Sequence, residues 1–289
     1  MRSEQQILNV IITTAREDER VRLVVMNGSR ANPNAPRDFF QDFDVAYFVP
    51  DVTPFIKNLE WVERFGEIMI MEMPEDMDDP PPAKDGSFGY LMQFKDGTRI
   101  DLGISPLTSL DELLKDSLTV VLLDKDGRTG SCPPSSESDY YPEPPTAKAF
   151  TDCCTEFWWL CTYVVKGLWR REILYARFMM DNLCRGELMK ILKWYIGMRT
   201  GFTVNPGKLG KYYQRYLEPG LWEMLMKTFA DSGYDHTWEA LFAMGDLFRI
   251  VAVQLADHFG FGYLQEYDYN VNAHLRHVQA LPQDAAEMY

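Results

Sequence analysis

The hydrophobic period of this 289-residue chain changes once, across a proline-rich stretch, and that change constrains the fold more than any single motif. Before it, short runs rich in Val, Ile, Tyr and Phe recur at 22–26, 45–49, 67–72, 90–94, 99–104 and 118–123. Runs of that length and make-up are strand candidates. One helix precedes them, because Ile7, Val10, Ile11 and Thr14 fall at i, i+3, i+4 and i+7. The pair Asp96-Gly97 between the fourth and fifth runs is a hairpin-turn signal, which predicts that those two strands are adjacent and antiparallel. Over 129–145 the composition shifts to Ser, Pro, Glu and Tyr, with Pro133, Pro134, Pro142, Pro144 and Pro145 denying the chain both helix and central strand. After it the apolar residues follow helical spacing over 147–175, 176–200, 220–230 and 237–259. The expectation is an α+β protein: a domain at 1–135 with a mixed β-sheet flanked by helices, then a helical bundle at 136–289.

Asp and Glu outnumber Lys and Arg by 43 to 29, giving a formal net charge of -14. Binding to a nucleic-acid backbone depends on basic residues that displace counterions, so this balance argues against that partner. An acidic field suits a cationic ligand, and it also serves solubility. The five cysteines are odd in number with no C-x-x-C pair, which predicts buried reduced thiols. The longest apolar runs, such as 118–123, fall far short of the roughly 20 residues a membrane span needs. No long apolar signal core opens the sequence, so a cytoplasmic protein is expected, as a monomer or homodimer.

The chemistry concentrates at 24–47, V-V-M-N-G-S-R-A-N-P-N-A-P-R-D-F-F-Q-D-F-D-V-A-Y. A strand ends at Gly28-Ser29, a polar loop follows, and Asp42-Phe43-Asp44 opens the next strand. Strand residues two apart share a face, so Asp42 and Asp44 present paired carboxylates while Phe43 packs on the other side. Such a pair repels itself unless a cation intervenes, and Mg²⁺ takes carboxylate together with phosphate oxygens. Gly28 allows close backbone approach to a phosphate, and Ser29 offers a hydroxyl donor. A third carboxylate, Asp101, sits between Ile100 and Leu102 in a later strand and projects from the same sheet face as the first two. Each element alone also fits a solvated strand end. No G-x-x-x-x-G-K phosphate loop is present, so nucleotide chemistry rests on the aspartates.

Strand, Gly-Ser, loop, Asp-x-Asp and a later lone Asp together resemble the DNA polymerase β-like nucleotidyltransferase superfamily. The longer run 28–49, with 65–76, 90–101, D-C-C-T-E-F-W-W at 152–159, Y-V-V-K-G-L-W-R-R-E-I-L at 163–174 and W-E-A-L-F at 238–242, resembles the aminoglycoside 6-adenylyltransferases, which modify streptomycin. The resemblance implies a nucleotidyltransferase domain at 1–135 and a helical domain that helps bind ATP and aminoglycoside. It implies that Asp42 and Asp44 hold Mg²⁺ and that Ser29 binds the phosphates of ATP, with Gly28 and Arg30 beside it. An acceptor hydroxyl would attack the α-phosphorus and expel pyrophosphate. Asp101 would be a third metal ligand or the general base. Lys208 and Lys211 would meet the triphosphate, with Lys166, Arg170 and Arg171 as alternatives, and Arg30 could instead pair with Asp38 or Asp42. A cationic acceptor calls for carboxylates and aromatic faces, which Glu75 and Asp76 offer after the third strand candidate and Asp152, Glu156 and Trp159 offer on a helix. Rival readings are a relative that adenylylates another aminoglycoside, a lincosamide or a protein hydroxyl, and a nucleotide-binding protein without turnover.

Overall fold

The structure, a computed structural model, describes residues 1–81 and 85–289. Its strands are β1 (Leu23–Met26), β2 (Phe43–Val49), β3 (Ile68–Glu72), β4 (Phe88–Phe94), β5 (Arg99–Pro106) and β6 (Val120–Asp124). They form one sheet in the order β3-β4-β5-β2-β1-β6. Only β2 and β5 run parallel among these neighbours, so the sheet is mixed. The β4–β5 hairpin turns at Asp96-Gly97, where Gly97 adopts a φ of 88° that residues with a side chain rarely take. Asp96 secures the turn by accepting from the Thr98 amide and hydroxyl and from the Arg2 guanidinium.

The faces of the sheet differ because alternate residues point opposite ways. On one face Phe43, Val45 and Tyr47 of β2, Ile100, Leu102 and Ile104 of β5, and Tyr90 and Met92 of β4 are buried together with Ile7, Ile11 and Ala15 of helix α1 (Glu4–Glu17). Ser3 and Gln6 close a reciprocal cap at the start of that helix. The Tyr47 hydroxyl donates to the Ile11 carbonyl at 2.5 Å, fixing helix to sheet. The opposite face is covered over β1 and part of β2, where Leu23, Val25, Ala46 and Phe48 pack with Leu110. Toward β5, β4 and β3 it carries Asp101, Arg99, Gln93 and Glu72, with Leu91 and Ile70 among them.

By chain contacts the molecule divides into the unit Met1–Asp139, which holds the sheet, and the helical unit Tyr140–Tyr289. The helical unit contains α2 (Ala147–Trp169), α3 (Ile173–Phe178), α4 (Arg185–Thr200), α5 (Pro219–Lys227), α6 (Tyr234–Phe259) and α7 (Gln265–Ala280). The helix expected to run unbroken to 175 ends at Trp169, and Arg171 reverses the chain at a φ of 62°. Gly167 permits this reversal, because a Cβ there would lie 2.8 Å from the Tyr175 ring. A π-helical turn, Met179–Cys184, links α3 to α4. Helix α7 escaped the periodicity reading because its sequence is mostly polar; the residues it buries are Asp268, Leu275 and Val278. Asp268, 4% exposed, accepts from Arg249, Tyr263 and Asn272 at 2.6–2.7 Å.

Cys153, Cys154, Cys161 and Cys184 are buried as expected, whereas Cys132 is exposed, because it lies in the irregular linker where no element covers it. Burial pushes the Cys154 thiol up to about 12, which keeps it protonated. Among the described residues no helix is long and apolar enough to cross a membrane.

Candidate active site

Strand pairing explains how three aspartates meet. In the parallel β2–β5 ladder Asp44 stands directly opposite Asp101, and residues directly opposite in adjacent strands share a face. Phe43, 2% exposed, anchors the entry to β2 in the core, so Asp42 and Asp44 on either side of it turn outward. Burying that one ring is worth about 2 kcal/mol, which offsets part of the repulsion among the carboxylates at this strand end. One carboxylate oxygen from each of Asp42, Asp44 and Asp101 lies within 4.8 Å of the others, and all three residues are half-buried. Two such charges at 4.8 Å repel by on the order of 3 kcal/mol at an effective dielectric of about 20. Three convergent carboxylate oxygens are hard donors, and they fit a hard divalent cation such as Mg²⁺.

Gly28 meets this cluster from the β1 side. A Cβ at its position would lie 1.9 Å from the Asp44 Oδ2 and 2.8 Å from its Cγ, and its φ is 69°. Any side chain there would drive the Asp44 carboxylate away, so glycine is required twice over, by space and by conformation. Residues Gly28–Ala31 form a single helical turn, with Ser29 half-buried and its carbonyl accepting from Gln41 Nε2 at 3.3 Å.

Arg30 follows, and its guanidinium is turned inward with only 8% of the side chain exposed. It donates to the carbonyls of Asp42 at 2.9 Å and Gln41 at 2.8 Å, stacks 3.8 Å from the Phe43 ring, and forms its ion pair with Glu4. That pair, and not one with the Asp38 or Asp42 carboxylate, is the salt bridge Arg30 makes. Burial pulls the guanidinium below its ordinary value, partly opposed by Glu4. Arg30 therefore fixes the loop that delivers Asp42.

Sequence reading missed Arg99. It lies two residues before Asp101 on β5, hence on the same face, and grips that carboxylate with Nε to Oδ1 at 2.8 Å and Nη2 to Oδ2 at 2.7 Å. Period-2 alternation held the signal, because any residue at i−2 from a sheet-face aspartate is its neighbour.

The sequence matches the streptomycin adenylyltransferase family over residues 1–278. The chain belongs to the streptomycin adenylyltransferase family. It is 42% identical to a Campylobacter jejuni protein named aminoglycoside 6-adenylyltransferase, over 91% of each chain. Relatives of the same name come from Bacillus subtilis, at 40% identity over 93% of this chain and 95% of that one, and from Staphylococcus aureus, at 36% over 96% and 98%. As a member of the streptomycin adenylyltransferase family, the chain is a nucleotidyltransferase enzyme.

The other expected site residues of this family member fall in both units. Glu75 and Asp76 form the short helical turn Pro74–Asp76 directly after β3. Glu75 accepts from the Gly89 amide at 2.7 Å, and Gly89 pairs with Gly103, two residues along β5 from Asp101. That bond ties Glu75 to the sheet carrying the aspartates, while Asp76 is exposed. In the helical unit, Asp152, Glu156 and Trp159 share the outer face of α2. Asp152 pairs with Lys148, and Trp159 donates to the Tyr163 hydroxyl at 3.0 Å while staying 58% exposed. Its neighbour Trp158 lies in the core, so the two tryptophans divide between packing and surface. Lys208 and Lys211 flank an exposed turn, where Lys211 Nζ lies 5.1 Å from the Tyr212 ring.

Proposed function

We propose that this chain transfers AMP from ATP to the 6-hydroxyl of streptomycin, releasing pyrophosphate and conferring resistance to the drug. The observation that carries the chemistry is the convergence of Asp42, Asp44 and Asp101 within 4.8 Å, beside a glycine whose smallest substitution would displace Asp44. The names of the family and of its relatives support the acceptor.

In this reading the acceptor hydroxyl forms a bond to the α-phosphorus as the bond to pyrophosphate breaks. Asp42 and Asp44 hold Mg²⁺, with Asp101 either completing the ligand set or taking the hydroxyl proton. When bound, Mg²⁺ neutralises charge on the attacking and leaving oxygens. Gly28 keeps the backbone against Asp44 so that the Ser29 hydroxyl and neighbouring amides receive phosphate oxygens. Arg30 acts from behind, holding the main chain at Gln41 and Asp42. Lys208 and Lys211 supply positive charge for the triphosphate. Glu75, Asp76, Asp152 and Glu156 receive the guanidinium groups of the acceptor, and Trp159 offers it an aromatic face.

Pyrophosphate release from ATP and Mg²⁺ tests the reading, with streptomycin, spectinomycin, kanamycin or no acceptor and an Asp42→Asn control. Release with streptomycin that the variant loses is the expected result. Release only with another drug would discard streptomycin and keep the transfer chemistry, and no release with any acceptor would defeat the proposal.

A further inference from the structure

We infer that Arg99 is a positioning residue, a built-in counter-cation of Asp101 that must be displaced before a divalent ion engages that carboxylate. The inference rests on the reading of Asp42, Asp44 and Asp101 as a divalent-metal site. Both oxygens of Asp101 already face a positive charge, since the guanidinium meets them fork to fork at 2.8 and 2.7 Å. The same charge acts on Asp42 and Asp44. A cation entering the cluster therefore meets a site that is partly neutralised in advance.

The pair is built to open. Asp101 is only 17% exposed, but Arg99 is 46% exposed, so its guanidinium can exchange the carboxylate for water, and an ion pair with one such solvated partner contributes a modest net free energy. Arg30, by contrast, is committed to main-chain carbonyls and almost fully covered. Arg99 also lines a shallow groove of about 120 Å³ with Ile70, Glu72, Leu91 and Gln93. Strand register explains the groove: Leu91 stands opposite Asp101, Glu72 opposite Leu91, Gln93 opposite Arg99, and Ile70 opposite Gln93. The groove gives the guanidinium room to turn from Asp101 and a second carboxylate, Glu72, to turn toward. A divalent ion among three carboxylates gains far more Coulomb energy than one exposed pair loses, so displacement is favourable yet raises the ion concentration at which the site fills.

The test is calorimetric titration of the full-length, nucleotide-free protein with Mn²⁺. Removing the competing charge in Arg99→Gln should tighten binding about threefold, the scale of an exposed ion pair, with Arg99→Lys in between because it keeps the charge but loses the fork. In an Asp101→Asn background the Arg99→Gln change should tighten binding by clearly less than threefold, because only the weaker action of Arg99 on Asp42 and Asp44 is left to remove. Thermal melts establish that each variant is folded. Unchanged or weaker Mn²⁺ binding in folded Arg99→Gln would overturn the role of Arg99 while leaving the metal site standing. If wild type shows no Mn²⁺ binding that Asp42→Asn abolishes, the metal site itself fails, and the inference with it.

Discussion

Two carboxylate sites in this chain are built on opposite terms. In the helical unit Asp268 is 4% exposed, and Arg249, Tyr263 and Asn272 donate to its two oxygens. On the sheet, Asp42, Asp44 and Asp101 are half-buried, converge within 4.8 Å, and have on Asp101 the guanidinium of Arg99, which is itself nearly half exposed. A buried charge is tolerated when its partners are complete, whereas like charges gathered on an open face oppose folding until a cation arrives. The first arrangement serves the fold, and the second is the one we propose serves a ligand.

The largest effect should come from removing one charge of the gathered set. Asp42→Asn should lower the rate of pyrophosphate release by roughly a thousandfold or more, because such transfers are accelerated chiefly by stabilising charge at the reacting phosphate. Asp268→Asn should do the reverse, putting a neutral amide at a buried position where Arg249, Tyr263 and Asn272 all donate, while Arg249 keeps its second partner Asp246. It should cost about 3 kcal/mol in denaturant unfolding while barely changing the initial rate of folded enzyme. Equal rate losses in both variants would break the comparison.

Gly28→Ala probes it from a third side, since a methyl group there displaces the Asp44 carboxylate without removing any charge. A rate about a hundredfold lower is expected in steady-state assays, on the scale of a misplaced reacting group. Glu75→Gln should raise the KM for the acceptor about fivefold with little change in kcat, the scale of one exposed ion pair.

The smallest effect concerns Asp96, which tethers Arg2 to the β4–β5 hairpin that leads into Asp101. Burial would raise its pKa, but hydrogen bonds from Arg2 and Thr98 outweigh burial and hold it well below the usual carboxylate range. A carboxylate lowered on folding adds stability that is full above its unfolded value and is lost as pH falls through its folded one. Asp96→Asn should therefore cost about 1 kcal/mol at neutral pH, a deficit that shrinks as the pH falls below about 4 in acid-unfolding curves.

The strands, the hairpin at Asp96-Gly97 and the meeting of three aspartates were legible in the sequence because each depends on period-2 alternation and local turn chemistry. Phe43 between two outward aspartates is the plainest instance. What escaped depended on contacts between segments distant in sequence. The inward turn of Arg30 is set by Glu4 and Phe43, which no local pattern around 30 encodes. Helix α7 has few apolar residues, and its buried Asp268 finds its partner in Arg249 of α6. The break after Trp169 depends on the approach of Tyr175 to Gly167, and α-helical propensity alone carries no sign of it.

The most direct test of the contrast is the thermal midpoint of ligand-free Asp42→Asn against wild type, measured beside its turnover. If the three aspartates are held together against their own repulsion, the variant melts higher by about 2–4 °C although it is inactive. A midpoint lowered as in Asp268→Asn would mean that Asp42 stabilises the fold, and would contradict the account.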